Sequence, residues 1–150
     1  MQPPIDTEDQ MTTRYDDQNI FAKILRREIP SEILFETEDA IAIMDVMPKS
    51  KGHSLVIPKA PSRNLLDAED ETLAKLMPQV KRLARAVTKA FSADGVQIEQ
   101  FNEEPAGQTV FHLHIHVVPH YSGVPLERHA TRMAERAVLA EHAAAIRAAL

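Results

Sequence analysis

Three histidines alternate with apolar residues in one short run of the sequence, His112-Leu113-His114-Ile115-His116. Side chains at positions i, i+2 and i+4 share one face of a β-strand, whereas on a helix they would spread around the axis. The spacing therefore predicts a histidine row (the side chains of the three histidines) on one face of a sheet whose opposite face is core. Three titratable rings side by side bring a desolvation cost and no packing benefit, so the row indicates chemistry.

Two kinds of site use such a row. Neutral imidazoles bind zinc, copper or iron, so a metal centre with all three histidines as ligands is one interpretation. An imidazole is also uncharged near neutral pH, and it can attack an anionic phosphate without the repulsion that a carboxylate would meet. Neighbouring rings then donate hydrogen bonds to the phosphate oxygens and a proton to the leaving group.

A polar loop at residues 102–109 leads into the row. Gly107 allows backbone N–H groups to approach a ligand closely, and Asn102, Gln108 and Thr109 add neutral side-chain donors. The loop therefore predicts a cradle for an oxyanion beside the histidines. A metal site would more often have a carboxylate near the row, and the predicted strand has none, so chemistry at phosphorus is favoured and the metal interpretation stays open.

Composition narrows the class of protein. The 150 residues suit one domain, and the absence of cysteine excludes disulfides, thiol catalysis and zinc sites that need cysteine. A net charge of −5 gives no general attraction to nucleic acid or to anionic membranes. No signal peptide or membrane-spanning run is recognisable, so we expect a cytoplasmic protein without nucleic-acid or membrane partners.

The helices and strands that must position the row follow from hydrophobic periodicity. We predict a helix from Asn19 that ends at Pro30, a long helix over residues 67–91 with Asp67 as its N-cap, and a C-terminal helix beyond Pro125. Pro78 should kink or split the long helix, because it lacks a backbone donor. Strands are predicted at residues 33–36, 40–46, 53–57, 96–101 and 109–118.

This order of helices and strands, with short connections, predicts an α+β domain on a mainly antiparallel, five-stranded sheet with one long helix. Residues 1–17 lack hydrophobic periodicity and are predicted to be a flexible N-terminal arm. The domain proper is predicted over residues 18–122. Residues 123–150 are predicted to form a C-terminal helical extension.

Together these motifs resemble those of the histidine triad (HIT) family, in the Hint-like branch of purine-nucleotide-binding phosphoramidases. The resemblance runs from about residue 19 to residue 119 and is most specific over residues 106–117. It implies a HIT-like fold and hydrolysis or transfer of a nucleotidyl group from purine nucleoside phosphoramidates or related adenylates, through a nucleotidyl-histidine intermediate. A dinucleoside polyphosphate hydrolase and a non-catalytic nucleotide-binding protein of the same fold remain alternatives.

The resemblance also implies a role for each residue of the row and the loop. His114 would be the nucleophile, and His112 and His116 would contact the phosphate and assist proton transfer. The donors that contact the phosphate or the leaving group, or lie near it, would be Gln108, Thr109, Gly107 and Asn102.

Further roles are implied outside the row. Asp45 would accept hydrogen bonds from the ribose hydroxyls. His53 would hydrogen-bond to His112 and fix its tautomer. Apolar side chains would line the base pocket, namely Ile20, Phe21, Ile24 and Ile43.

Two more expectations concern metal and assembly. Many bacterial members of the family have cysteines at the positions of Asn19 and Ala22, which bind zinc with histidines equivalent to His53 and His112. Those cysteines are missing here, so we expect no structural zinc and no cofactor. The resemblance also implies a homodimer in which two sheets join, and the predicted strand at 96–101 is an edge without proline.

Overall fold

The computed structural model describes residues 15–128 and 132–150, so most of the predicted N-terminal arm lies outside the described residues. The helices and strands of the described part are α1 (Ile20–Leu25), β1 (Ile33–Glu36), β2 (Ala40–Met44), β3 (Ser54–Pro58), α2 (Asp70–Phe91), β4 (Gly95–Glu99), β5 (Ile115–His120) and α3 (Arg136–Ala149), with a short 3-10 helix at Glu104–Ala106 between β4 and β5.

The five strands form one sheet in the order β1-β2-β3-β5-β4, and every neighbouring pair is antiparallel. The predicted α+β class and five-stranded antiparallel sheet are confirmed. Strand β5 enters between β3 and β4, and this crossover brings the C-terminal end of the histidine row into the middle of the sheet.

Apolar residues cover both faces of the sheet. On one face, Ala42, Val56 and Val117 pack in a core with residues of α2 and α3. On the opposite face, which we call the α1 face, residues of β2 and β3 pack against Phe21 and Ile24 of α1. Because both faces are covered, β2 and β3 are buried at every position, and they appear in the sequence as nearly continuous apolar runs.

The strand predicted at residues 109–118 is corrected by the structure. Strand β5 begins only at Ile115, and its partner β3 pairs with it over three residues. The reason lies at the end of β3, because Pro58 has no backbone N–H and its carbonyl accepts a hydrogen bond from the His112 ring. The segment before β5 still alternates, since Leu113 enters the core beside α2.

Two predictions about the long helix also change. Helix α2 begins at Asp70, because the carboxylate of Asp67 instead accepts from the backbone N–H groups of Arg63 and Asn64 in the preceding loop. Pro78 does not split the helix. Both Pro78 and Ala74, whose carbonyl loses its donor, are exposed, so water can satisfy that carbonyl.

The C-terminal helix is shorter than predicted. Helix α3 spans Arg136–Ala149, and its residues Leu139, Ala143 and Ile146 are buried in the core that α2 shares with the sheet. None of the helices in the described residues is long and apolar enough to span a membrane.

Candidate active site

The histidine row lies where the chain enters strand β5. His116 is opposite Leu55 in the β3–β5 register, so its ring is on the α1 face. His112 and His114 lie in the segment just before β5, and His112 is the last residue of a bend at residues 110–112. All three side chains are buried, with exposed fractions of 1%, 9% and 4% for His112, His114 and His116.

His114 is held in one tautomer by the backbone. Its Nδ1 lies 2.6 Å from the carbonyl oxygen of His112, and because a carbonyl only accepts, Nδ1 must carry the hydrogen. The lone pair is therefore on Nε2, the nitrogen that an attack on phosphorus needs. The rings of Phe21 and His116 contact the His114 ring edge-to-face, with centroids 4.7 and 5.0 Å away.

His116 is oriented by a relay of two further groups. The backbone N–H of Lys49 donates to Nδ1 of His53 over 2.9 Å, so the hydrogen of the neutral His53 ring is on Nε2. That Nε2 lies 2.9 Å from Nδ1 of His116, which must therefore accept. The remaining nitrogen of His116, Nε2, then carries a hydrogen and is a donor. Asp45 flanks the relay, with Oδ2 3.3 Å from His53 Nε2.

The predicted hydrogen bond between His53 and His112 is wrong. His53 immediately precedes β3, in which Leu55 pairs with His116, so its side chain is a diagonal neighbour of His116 across the two strands. His112 lies four residues before His116, beyond the end of this pairing. His53 therefore sets the tautomer of a different ring from the one expected.

Both ring nitrogens of His112 are bonded within the protein. Nε2 donates to the carbonyl of Pro58 over 2.8 Å, and the hydroxyl of Tyr15, which accepts from Asn19 Nδ2, lies 2.6 Å from Nδ1. The Tyr15 hydroxyl must donate to Nδ1, because Nε2 already carries the hydrogen. This geometry corrects the role expected of His112, since neither nitrogen is available to contact a phosphate or to transfer a proton.

Burial lowers the pKa of His112 from its ordinary value of 6.5 to about 4. Between pH 6.5 and about pH 4, the His112 ring is therefore protonated in the unfolded chain but neutral in the folded protein. Lowering the pH through this range destabilises the fold. We expect the free energy of unfolding to fall by about 2 kcal/mol more between pH 7 and pH 5 in the wild type than in His112→Gln. Urea unfolding at one protein concentration measures this difference, and parallel pH dependence in the two proteins would contradict the prediction.

Gln108, predicted to contact the phosphate or leaving group, has its side-chain amide fully engaged. Its Nε2 donates to the carbonyls of Arg63 and Val110 over 2.8 and 3.0 Å. Its Oε1 accepts from the backbone of Glu103 and from Asn64 Nδ2. With both hydrogens and both lone pairs used, Gln108 holds the loop in shape, and this corrects its expected catalytic contact.

The other predicted loop donors, Gly107, Asn102 and Thr109, differ in whether their polar groups are already hydrogen-bonded within the protein. The N–H of Gly107 donates to the carbonyl of Glu104 at the end of the 3-10 helix. Asn102 donates from Nδ2 to Gln100 Oε1 over 3.0 Å, and its Oδ1 accepts from the backbone of Leu65. These two groups stabilise the loop, so their expected approach to a ligand is also corrected. Thr109 is exposed, and no residue in ranges 15–128 and 132–150 hydrogen-bonds to its hydroxyl. Of the four, Thr109 has the group best placed to accept a new partner.

An ion pair that the sequence does not predict stabilises the loop at residues 102–109. Arg63 donates from Nε and Nη2 to the two carboxylate oxygens of Glu103, at 2.8 and 2.9 Å, and Asn64 Nδ2 donates to the same carboxylate. Glu103 has φ of 73°, an uncommon value for a residue with a Cβ. The hydrogen bond from Arg63 lowers the pKa of the Glu103 carboxyl. The partners are 40 residues apart, so no local pattern indicates the contact.

The residues predicted to line a base pocket lie mostly together. Phe21, Ile24 and Ile43 are buried in the apolar cluster of the α1 face, and the Phe21 ring contacts His114. Ile20 is 45% exposed at the start of α1. The three buried side chains form an apolar wall on the α1 face, and Phe21 brings this wall into contact with His114.

The residues do not fit the zinc site known from cysteine-bearing relatives. Ala22 has no ligand atom, and the Asn19 side chain is bonded to Ala22 N and to Tyr15. Within the described residues, the group of ligand atoms close enough to hold a metal belongs to Asp45, His53 and His116, and it includes neither His112 nor His114. The three-histidine metal centre is therefore not supported, and an ion at the other group would have to break the His53–His116 hydrogen bond.

Comparisons with known proteins agree with this fold. A family model described as the HIT domain matches residues 26–123. The crystal structure of a HIT-like protein from Bartonella henselae involved in cell-cycle regulation aligns with a TM-score of 0.87 and 51% identity, over 91% of this chain and 98% of that one.

Two curated relatives have named activities. An adenosine 5′-monophosphoramidase of Saccharomyces cerevisiae is 43% identical over 100 residues, which is 67% of this chain and 61% of the yeast protein. An adenylylsulfatase of Arabidopsis thaliana is 32% identical over 124 residues, 79% of this chain and 63% of the plant protein.

Proposed function

The chain belongs to the histidine triad (HIT) family, and from that premise we propose that it is a nucleotidyl hydrolase or transferase acting on purine nucleoside phosphoramidates or related adenylates. The observation that carries the proposal is the pair of fixed tautomers beside each other. His114 has its lone pair on Nε2, because the His112 carbonyl binds Nδ1–H. His116 has a hydrogen on Nε2, because His53 donates to its Nδ1. A nucleophilic nitrogen on His114 and a hydrogen-bond donor on His116 therefore lie on neighbouring rings.

In the proposed reaction, Nε2 of His114 forms a bond to the α-phosphorus while the bond from phosphorus to the leaving group breaks. The leaving atom develops negative charge, accepts a hydrogen bond from Nε2–H of His116, and gains its proton from water. Water then attacks phosphorus, the bond from phosphorus to His114 Nε2 breaks, and the nucleoside monophosphate is released. The proton that the attacking water loses neutralises the hydroxide left by protonation of the leaving atom. With an acceptor other than water, the same intermediate would pass on its nucleotidyl group, and the enzyme would act as a transferase.

The remaining site residues have supporting parts in this proposal. The Thr109 hydroxyl donates to a phosphate oxygen, and Phe21 with Ile24 forms an apolar surface for the base. Asp45 accepts from the ribose hydroxyls, and its Oδ2 also flanks His53, so one carboxylate would join ribose binding to the relay. The activities for which the yeast and plant relatives are named support an adenylyl group with a variable leaving group.

A substrate panel tests the proposal. Purified protein is incubated with an adenosine phosphoramidate, a diadenosine polyphosphate and an acyl-adenylate, and phosphorus NMR follows the products. We expect AMP to form fastest from the phosphoramidate. Faster cleavage of the diadenosine compound would favour the dinucleoside polyphosphate hydrolase, and binding without any turnover would overturn the enzymatic proposal.

We also propose that the protein is a homodimer joined at β4. This strand is at the edge of the sheet, and its residues Val96 and Ile98 are 38% and 44% exposed. Light scattering at micromolar concentration should return about twice the chain mass of 16.8 kDa.

A pair of variants places the interface. Val96→Lys should reduce the mass to that of one chain, because a charge would be buried at the interface. Val138→Lys is the matched control, since Val138 on α3 is also 38% exposed. A mass near 16.8 kDa for the wild type, or equal effects of the two substitutions, would contradict the proposed interface.

A further inference from the structure

Tyr15 lies next to the histidine row although it is 97 residues away from His112 in the sequence. Its hydroxyl is 2.6 Å from His112 Nδ1, and its ring meets the His112 ring edge-to-face with centroids 5.5 Å apart. Tyr15 is the only aromatic residue before Phe21, and nothing in the local sequence pattern assigns it a role. Its hydroxyl completes the enclosure of a ring that is 1% exposed.

We propose that Tyr15 is a positioning residue for the nucleophile, acting through His112. The His112 ring is held at both ends, by the Pro58 carbonyl at Nε2 and by the Tyr15 hydroxyl at Nδ1. The backbone carbonyl of the same residue binds Nδ1–H of His114. Fixing the His112 ring therefore fixes the oxygen that determines where the lone pair of His114 points.

Asn19 sets the direction of the Tyr15 hydroxyl. Its Oδ1 accepts from the backbone of Ala22 and caps α1, while its Nδ2 donates to the Tyr15 oxygen over 3.1 Å. Since Asn19 supplies a donor to that oxygen, the hydroxyl hydrogen is directed to His112. The Asn19 side chain thus connects α1, whose Phe21 contacts His114, to Tyr15, which contacts His112.

Phenylalanine at position 15 would preserve the ring contact and remove only the hydroxyl. Nδ1 of His112 would then be a buried acceptor without its partner, and the ring could tilt or admit water. A loss of this kind, one contact removed from the reacting group, typically reduces activity about 10- to 100-fold where the outer group orients an inner one. The fall should be in kcat, because Tyr15 is one residue removed from the nucleophile and does not bind the nucleotide in this scheme.

The test compares Tyr15→Phe with Tyr121→Phe, which removes the only other tyrosine hydroxyl of the chain. Tyr121 donates to the Lys51 carbonyl, away from the row. We expect kcat of Tyr15→Phe to fall at least about tenfold with KM within about twofold, and Tyr121→Phe to match the wild type. Thermal unfolding of both variants shows whether a loss of folding accounts for the change.

A spectroscopic measurement separates this inference from the proposed function on which it rests. With ¹⁵N-labelled histidine, the Nδ1 resonance of His112 should move in Tyr15→Phe and stay in Tyr121→Phe, whether or not any substrate is turned over. Asn19→Asp gives a second route, because the new carboxylate would still cap α1 but would draw the Tyr15 hydroxyl away from His112. An unmoved Nδ1 resonance, or a moved resonance with unchanged kcat, would overturn the positioning role. An inactive wild type whose resonance still moves would overturn the proposed function alone.

Discussion

Replacing His114 with Asn should abolish turnover while nucleotide binding stays within about tenfold of the wild type. An asparagine amide can still donate to the His112 carbonyl, as Nδ1–H of His114 does over 2.6 Å, so the local backbone should be preserved. What disappears is the lone pair on Nε2, without which no bond to phosphorus can form. Binding persists because the apolar wall of the α1 face and Asp45 are untouched.

Trapping the intermediate measures this directly. Acid-labile label from a substrate labelled at the α-phosphorus should be recovered on His114 in a quenched wild-type reaction and should be absent from His114→Asn. His142→Asn is the control, because His142 lies on α3 against Phe91 and has no part in the row. A substantial rate in His114→Asn, or label on another residue, would mean that the nucleophile has been assigned wrongly.

Replacing His116 with Gln should slow the reaction by roughly 10²–10³, the range for loss of one hydrogen-bond donor to a developing negative charge. The relay from Lys49 through His53 leaves His116 with its hydrogen on Nε2, next to His114. If this hydrogen stabilises the charge that develops on the leaving atom, the loss must depend on the leaving group. A poor leaving group needs the donor more than a good one.

A series of adenylates whose leaving groups differ in pKa provides the measurement. The ratio of wild-type to His116→Gln rates should be largest for the most basic leaving group and should approach one for the most acidic. His53→Asn should give a smaller loss with the same trend, because it removes the group that fixes the tautomer of His116 but keeps the His116 ring. A rate ratio that is constant along the series would place the Nε2–H contact at a phosphate oxygen instead.

That the three histidines point to one side of the chain could be predicted from local sequence, because apolar residues alternate with them. Leu113, Ile115 and Val117 enter the core on one side, so the histidines between them must point to the other. This holds even though β5 begins only at Ile115, because Leu113 already enters the same core as Ile115 and Val117. The strands could be predicted from short apolar runs between turn residues, and the helices from apolar residues that recur every three to four positions.

The partners of each ring could not be predicted this way. The sequence predicts a hydrogen bond from His53 to His112. In the structure His53 bonds to His116, because the register of β3 against β5 makes positions 53 and 116 diagonal neighbours. Gln108 is a polar residue in a loop beside the row, and its type alone suggests a ligand contact. Only the packing of that loop against Arg63 shows that its amide is used within the protein.

Residue type and spacing by themselves determined that three imidazoles point to one side of the chain, since this follows from the geometry of a few consecutive peptides. The order of the helices and strands, with short connections, determined that the sheet is mainly antiparallel. The tertiary structure alone decided which nitrogen of His112 and which nitrogen of His116 carries the hydrogen, whereas the tautomer of His114 is set by the carbonyl of His112, two residues away. A tautomer depends on which donor or acceptor meets the ring, and here these groups come from distant segments: Tyr15 and Pro58 for His112, and His53 for His116. Separations of 97, 54 and 63 residues are bridged only when the sheet has formed and α1 has packed on it, and no local periodicity encodes that meeting.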